Sequence, residues 1–187
     1  MEILLSFFSD AGFSEAERSQ VGAVFTPTTY AKGTYFVEEG HTAQRLAFIE
    51  QGVFQYVVNR DGDEITTYVV GKGGFMASLL SFFKQVPARE NIRALTEART
   101  WEISKESLAG LLQMVPAFKD FYIGVLEWQI GCIDDSRLNL LTLSAEGRYE
   151  KLMREEPHLL QQIPLQYLAS ILGVTPRHLS RIRRTIR

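Results

Sequence analysis

The side chains best suited to bind an anionic polymer lie near the end of the chain. They carry guanidinium, imidazole and hydroxyl groups: Thr175, Arg177, His178, Ser180, Arg181 and Arg184. Guanidinium groups donate paired hydrogen bonds to phosphate oxygens and to the major-groove edge of guanine. Arg177 and Arg181 are four residues apart, which places both on one face of a helix. The spacing predicts a basic helix that reads double-stranded DNA, with these two arginines at base edges and the helix N-terminus at Thr175 on phosphate.

Two short helices joined by a tight turn are predicted to carry these groups. Thr175 and Pro176 indicate a helix start, with an N-cap hydroxyl followed by proline at the first helical position. Gly173 suits the end of the preceding helix, and the small Ala169 four residues earlier allows a close approach. One apolar set would bury the helices on each other: Leu168, Leu172, Val174, Leu179 and Ile182. This pattern is typical of a helix-turn-helix with a basic second helix.

A helical hairpin with a solvated charged face is the alternative interpretation of this segment. A merely solvated face mixes both signs of charge, but no acidic residue follows Glu156. Residues 1–143 carry 12 lysines and arginines against 18 acids, whereas residues 144–187 carry 8 against 4. The acidic body should repel a phosphate backbone that the basic end attracts, which favours the DNA-binding interpretation.

Short β-strands separated by glycines are predicted between residues 29 and 104. The Asp61-Gly62 pair is a hairpin turn between the third and fourth of these strands. Regular short strands of this kind predict a sandwich or jelly-roll barrel. Helices are predicted before the barrel, where Ser14 caps residues 15–25, and within it at residues 76–83. The predicted strands span residues 34–37, 46–49, 53–58, 65–70, 92–95 and 100–103.

A long helix is predicted from residue 117 to residue 142. Its side chains recur at spacings of three and four, which is typical of a coiled-coil seam between two parallel chains. Packing on its own barrel is the alternative, because Phe121, Val125 and Trp128 occupy the other faces, and both arrangements are compatible. Ser144 then caps the next helix and Pro157 ends it. The seam consists of Ile123, Leu126, Ile130, Ile133, Arg137 and Leu140.

No metal site or catalytic site is predicted. His41, His158 and His178 are too widely spaced for a metal site in one chain, which disfavours a metal-binding cupin enzyme. Ser78 has no neighbouring histidine–aspartate pattern that would activate it as a nucleophile. The single cysteine, Cys132, fits a reducing compartment. No apolar run approaches the roughly 18 residues of a membrane span. We therefore expect a cytoplasmic protein without a membrane partner or a resident cofactor.

In its motifs the chain resembles the Crp/Fnr family of bacterial transcription regulators. The similar segments are residues 52–66 of the barrel, 145–157 after the long helix and 169–182 in the helix-turn-helix. The resemblance implies an α+β fold with an N-terminal antiparallel β jelly-roll barrel and flanking helices, a dimerisation helix and a C-terminal winged helix-turn-helix. The implied domains are a cyclic-nucleotide-binding-like sensor at 1–115, the dimerisation helix at 116–143 and the DNA-binding domain at 144–187.

The resemblance also implies a function and partners. It implies a homodimeric, sequence-specific regulator without enzymatic activity, with RNA polymerase and a small-molecule effector as further partners. The alternative function is a small-molecule-binding sensor module whose C-terminal helices contact a protein partner. In the family an acidic residue often stands where this chain has Arg177, so its preferred DNA site should differ.

The effector pocket departs from the pattern of members that bind cyclic nucleotides. Those members hold the ribose and cyclic phosphate with a Gly-Glu step and a later Arg-Ser/Thr-Ala step. Met76 and Ala77 stand in the first step here, and Ala88, Arg89 and Glu90 stand in the second. A cyclic phosphate needs converging donors and positive charge, whereas Glu90 would repel it. We therefore expect that cyclic AMP does not bind.

The expected pocket is more apolar than one built for a phosphate. Either side chains such as Met76 and Phe82 fill it, or it takes a smaller or more apolar ligand. Its expected lining is Met76, Ala77, Ser78, Arg89 and Asn91.

Overall fold

The barrel consists of two antiparallel four-stranded sheets. The computed structural model describes residues 1–155, 157 and 159–186. The strands are β1 (Thr26–Tyr30), β2 (Tyr35–Val37), β3 (Arg45–Gln51), β4 (Val53–Arg60), β5 (Asp63–Gly71), β6 (Phe75–Met76), β7 (Asn91–Ala94) and β8 (Ala98–Ser104). Their order is β1-β8-β3-β6 in one sheet and β2-β7-β4-β5 in the other. This arrangement confirms the predicted antiparallel barrel.

Helices precede, interrupt and follow the barrel. They are α1 (Glu2–Asp10), α2 (Glu15–Ala23), α3 (Leu79–Lys84), α4 (Lys105–Met114), α5 (Pro116–Thr142), α6 (Ala145–Glu155), α7 (Leu159–Gln162), α8 (Leu165–Ile171) and α9 (Pro176–Thr185). Ser14 caps α2 with a capping box, because its side chain accepts from the Glu17 backbone N–H while the Glu17 carboxylate accepts from the Ser14 N–H. Among the described residues, no helix combines the length and the apolar character that crossing a membrane requires.

The β4–β5 hairpin turns where the Asp-Gly pair predicts. Asp61 and Gly62 have φ angles of 56° and 92°, and positive φ at both central positions is typical of the type I′ turn. Further along the ladder Tyr56 pairs with Tyr68, whereas Val57 pairs with Thr66. One residue of β5 is therefore extra at this point. The extra residue forms a β-bulge in an edge strand of the sheet.

Two predictions about local structure are wrong. The helix predicted at residues 76–83 begins only at Leu79, because Met76 pairs with Ala47 as part of β6 and is buried. The wing of the C-terminal domain is absent from the described residues after Ser104, where every regular element is a helix. A wing needs a β-hairpin, and the segment between α6 and α8 forms the short helix α7 instead.

Aromatic rings attach the start of α5 to the barrel. Phe118 and Phe121 of α5 pack against Phe8 of α1 and against Phe13 in the turn between α1 and α2, with ring centroids between 5.4 and 6.4 Å apart. Phe121 also meets Phe7, which in turn contacts Phe48 of β3. The N-terminal part of α5 thus packs on its own barrel. The rest of the helix, residues 122–142, extends beyond this cluster of rings.

Candidate nucleic-acid interface and effector pocket

Helices α8 and α9 pack on each other through the predicted apolar set. Leu168, Leu172, Leu179 and Ile182 are buried, and Val174 is half-buried against them. The turn between the helices passes through Gly173, whose φ of 67° lies in the left-handed region that favours glycine. The Val174 N–H then donates to the Ala169 carbonyl at 2.9 Å, which closes the end of α8. The two helices are thus held in a fixed mutual orientation.

Helix α9 begins with the predicted cap. The Thr175 hydroxyl accepts a hydrogen bond from the His178 backbone N–H at 3.2 Å, and Pro176 occupies the first helical position. The remaining N–H groups of the first turn have no partner within the helix, as at any helix start. Together with the helix dipole they make this end attractive to an anion such as a phosphate group.

The six predicted DNA-contacting residues lie together on one face. Arg177, Arg181 and Arg184 are exposed, and the others are exposed or half-buried. They surround an open cleft of about 550 Å³. His178 Nε2 lies 3.7 Å from a Glu146 carboxylate oxygen on α6. The pKa of that carboxyl is lowered, mainly by a hydrogen bond from its own backbone N–H, and less by its neighbours Ser144 and His178.

Arg148 on α6 links the end of α8, the helix on which α9 packs, to the end of α5. Its Nε and Nη2 donate to the Leu172 carbonyl at 3.1 and 2.8 Å, and its Nη1 donates to the Leu143 carbonyl at 2.7 Å. Both carbonyls belong to helix ends, where intrahelical donors are lacking. Sequence reasoning did not single out Arg148. The available signal was an arginine one turn after the capping Ser144, placed to meet the carbonyls at the preceding helix end.

A second contact braces the corner between α5 and α6. Lys151 Nζ donates to the Asp135 carboxylate at 2.6 Å and to the Asn139 side-chain oxygen at 3.4 Å. The Lys151 ammonium lowers the pKa of Asp135, and the Asn139 amide contributes in the same direction. Together with Arg148, this contact orients the C-terminal helices relative to the long helix.

An apolar stripe runs along the distal part of α5. Of the predicted seam, Ile123, Ile130, Ile133 and Leu140 are exposed in the single chain and Leu126 is half-buried. Arg137 pairs with Asp134 of the same helix at 2.9 Å. The exposed apolar surface is wider than the predicted seam, because it also includes Trp128, Leu138 and Leu141.

The expected effector pocket is buried along its first segment, which consists of Met76, Ala77 and Ser78. The Tyr56 hydroxyl lies 3.2 Å from both the N–H and the carbonyl of Ala77, accepting from the first and donating to the second. Burial raises the pKa of Tyr56, so its hydroxyl stays protonated. Phe82 is likewise buried in the barrel core. Tyr56 was not among the predicted pocket residues.

The polar residues at and beside the second step, Arg89, Glu90 and Asn91, differ in their exposure and in their hydrogen-bond partners. Glu90 is half-buried, and desolvation raises its pKa even though a hydrogen bond with Ser78 opposes the shift. Arg89 is exposed, and the Asn91 side chain accepts the Glu39 backbone N–H at 2.9 Å. Glu90 is thus hydrogen bonded with Ser78, and the Tyr56 hydroxyl already accepts from the Ala77 N–H.

Metal-ligating side chains form no group of three or more within the part of the chain that the structure describes. His41 lies between β2 and β3, and His178 lies on α9. His158 is outside the described residues.

Comparisons with known proteins agree with this architecture. Residues 27–114 match the family described as the cyclic nucleotide-binding domain. FixK2 from Bradyrhizobium japonicum is similar in structure, with a TM-score of 0.74 at 15% identity over 87% of this chain and 84% of that one. The c-di-GMP responsive global regulator CLP of Xanthomonas campestris has a TM-score of 0.69 at 21% identity, covering 92% and 91%. The catabolite activator protein of Thermus thermophilus has a TM-score of 0.60 at 19% identity, covering 94% and 84%. No curated protein matches the sequence.

Residues 27–114 are therefore similar to a cyclic nucleotide-binding domain, and the chain shares its fold with structural neighbours that include the Crp/Fnr regulators named above. These neighbours are regulators rather than enzymes. The resemblance drawn from the sequence motifs is confirmed.

Proposed function

We propose that the chain is a homodimeric, sequence-specific DNA-binding transcription regulator of the Crp/Fnr type that is not controlled by cyclic AMP. The observation that carries the proposal is the single exposed face of α9, where Thr175, Arg177, His178, Ser180, Arg181 and Arg184 surround one open cleft. This face is basic and lies at a helix N-terminus, and the one ion pair at this face among the described residues joins His178 to Glu146. These are the properties of a recognition helix in a helix-turn-helix.

Arg177 and Arg181 are the proposed base-reading residues. They are four residues apart, which corresponds to about 6 Å along a helix axis and about two base-pair steps of DNA. Each guanidinium can bond both acceptors of a guanine in the major groove. The preferred half-site should therefore contain two guanines separated by about two steps. Thr175 and the first turn of α9 would contact phosphate and orient the helix.

The apolar stripe of α5 supports a dimer. We assign residues 116–143 as the dimerisation helix, between a sensor domain at 1–115 and a DNA-binding domain at 144–187. Two parallel α5 helices would bury Ile123, Leu126, Ile130, Ile133 and Leu140 at a shared seam with Arg137. Two recognition helices would then face successive major grooves about one DNA turn apart, on a nearly palindromic site.

The cellular role follows from the same architecture. We propose that the regulator acts in the cytoplasm without enzymatic activity and contacts RNA polymerase at its promoters. The pocket argues against cyclic nucleotides as effectors, because Ala88 stands where the phosphate-holding arginine is expected, Glu90 adds a carboxyl group, and the Tyr56 hydroxyl already bonds the Ala77 N–H. An effector, where one exists, would be smaller or more apolar.

Selection of binding sites from random DNA by the full-length protein tests the proposal. The wild type should enrich a nearly palindromic site with guanines in each half. Arg181→Ala should lower affinity for that site by about 1–3 kcal/mol and relax the preference at one base position. Arg154→Ala, which removes an exposed arginine of α6 outside the cleft, is the matched control.

Two results would contradict this function. If Arg181→Ala weakened binding to all sequences equally, the base-reading role would be wrong. If the wild type failed to shift any genomic fragment and instead retained a protein, the alternative sensor module would be favoured.

A further inference from the structure

Helix α8 is hydrogen bonded to the barrel at the bulge of β5. The Ser170 hydroxyl accepts from the Thr66 backbone N–H at 2.8 Å and donates to the Thr66 carbonyl at 3.1 Å. Thr66 lies on an edge strand, whose outward backbone groups lack a neighbouring strand. One serine side chain therefore satisfies both backbone groups of a residue that is 104 positions away in sequence.

Apolar packing surrounds this hydrogen-bonded pair. Val53 and Val69, on the outer face of the β4–β5 sheet, are buried in the same cluster as Leu168 and Ala169 of α8. On the barrel side, the Thr66 hydroxyl accepts from the buried Gln55 side chain at 2.6 Å. Thr66 is thus fixed through its side chain by the barrel and through its backbone by α8. The contact joins two units that have separate apolar cores.

The same C-terminal end of α8 is also linked to the long helix, two residues beyond Ser170. Arg148 bonds the Leu172 carbonyl at the end of α8 and the Leu143 carbonyl after α5. Helix α8 is therefore hydrogen bonded to the barrel through Ser170, within the apolar contact described above, and is linked to α5 through Arg148. Both attachments lie at the end of α8 that leads into α9, so they fix the start of α9 relative to β5 and α5.

We propose that Ser170 is a positioning residue for DNA recognition, which fixes the recognition helix α9 relative to the barrel without touching DNA. The contact leaves the basic face of α9 exposed, so it orients this face rather than covering it. In a dimer, the orientation of each α9 decides which half-site spacing both helices can reach together. Ser170 should therefore control spacing preference more than affinity for one half-site. This inference rests on the proposed DNA-binding function.

Hydrogen exchange tests the contact without DNA. In full-length Ser170→Ala, the Thr66 amide loses its acceptor and should exchange about tenfold faster than in the wild type. Gln166→Ala, at an exposed position of the same helix, is the matched control and should leave this rate unchanged. Ser170→Thr keeps the hydroxyl and should restore protection. Equal Thr66 exchange in Ser170→Ala and Gln166→Ala would overturn the proposal.

Binding to synthetic operators tests the consequence for recognition. The probes are one palindromic site with its preferred half-site spacing and two sites with that spacing changed by one base pair. The wild type and Gln166→Ala should prefer the first probe by about tenfold, and Ser170→Ala should reduce this preference to about threefold or less. An unchanged spacing preference in Ser170→Ala would overturn the positioning role.

The two measurements separate the possible failures. Faster Thr66 exchange combined with no DNA binding by any variant, the wild type included, would overturn the proposed function and the positioning role together. If the variants bind DNA normally and Ser170→Ala leaves the exchange rate of the Thr66 amide unchanged, only the Ser170 contact is overturned.

Discussion

Replacing Arg148 with methionine tests how the C-terminal helices are held against α5. Methionine keeps an unbranched apolar stem but removes every donor of the guanidinium group. The change deletes two hydrogen bonds to the Leu172 carbonyl and one to the Leu143 carbonyl. No other described contact ties these two carbonyls to one side chain. Arg148→Met should therefore weaken both the C-terminal fold and its attachment to the long helix.

The two carbonyls contribute unequally to the expected loss. Leu143 is exposed, so water can replace the arginine at its carbonyl. Leu172 is only 4% exposed, so its carbonyl is poorly placed to regain a partner. A hydrogen bond between a charged donor and such a group contributes about 1.5–3 kcal/mol. Taking about 2 kcal/mol, the melting temperature of a chain of this size should fall by about 4–8 °C.

Calorimetry and DNA titration of matched variants provide the assay. Arg154→Met removes an arginine from the same helix whose side chain is 70% exposed and pairs with the adjacent Glu155. That control should melt within about 1 °C of the wild type, because exposed ion pairs contribute little. Arg148→Met should melt several degrees lower and bind its operator more weakly. If both variants melted together and bound DNA equally, the Arg148 bonds would have no stabilising role.

Three further outcomes are expected. Ile130→Asp would place an unpaired charge in the proposed dimer seam, so it should sediment as a monomer and bind DNA poorly, and a wild type that is monomeric at micromolar concentration would contradict the dimer. Cyclic AMP and cyclic GMP at millimolar concentration should change neither the melting temperature nor DNA affinity, whereas stabilisation that Arg89→Ala abolishes would contradict this. Because burial raises the folded-state pKa of Glu90, Glu90→Gln should be more stable than the wild type in urea at pH 7. Its advantage should shrink as the pH falls through the folded-state pKa and vanish below the unfolded value of about 4.3.

Strands with a strong local pattern could be predicted from the sequence, and weak ones could not. The β4–β5 hairpin follows from Asp61-Gly62 between two β-rich runs, which is a signal within a few residues. Strand β1 was missed because Thr26–Tyr30 contains Pro27 and lacks apolar alternation. It forms an edge strand, where proline is tolerated, and its partner β8 lies about 70 residues away. Strand β6 is two residues long, which is too short to produce a pattern.

The same distinction applies to the candidate sites. The basic face of α9 depends on spacing within one helix, so all six of its residues could be predicted together. Arg148, Tyr56 and Ser170 were missed because they act on partners 24, 21 and 104 positions away. Their bonds are to backbone groups, which every residue carries. The pattern of side chains therefore does not indicate these distant partners, and the local signal at Arg148, one turn after Ser144, points only to the nearby Leu143 carbonyl.

The Tyr56–Ala77 contact and the barrel contact with α8 belong to one connected region. Tyr56, which holds Ala77, lies on β4 with its ring 5.5 Å from that of Tyr68 on β5. Thr66, which Ser170 holds, lies on β5 beside the same bulge. A ligand shifts a conformational equilibrium only through its different affinity for the two states. An anion entering here would first have to displace the Tyr56 hydroxyl from Ala77, and it would meet Glu90 as well. Under the proposed function, Tyr56 of the chain itself thus fixes the β4–β5 sheet through its bonds to Ala77. These bonds lie where a cyclic nucleotide would otherwise bind. The orientation of α9 is then set by folding, and a regulatory signal has to act on the Ser170 contact or on the dimer helix instead.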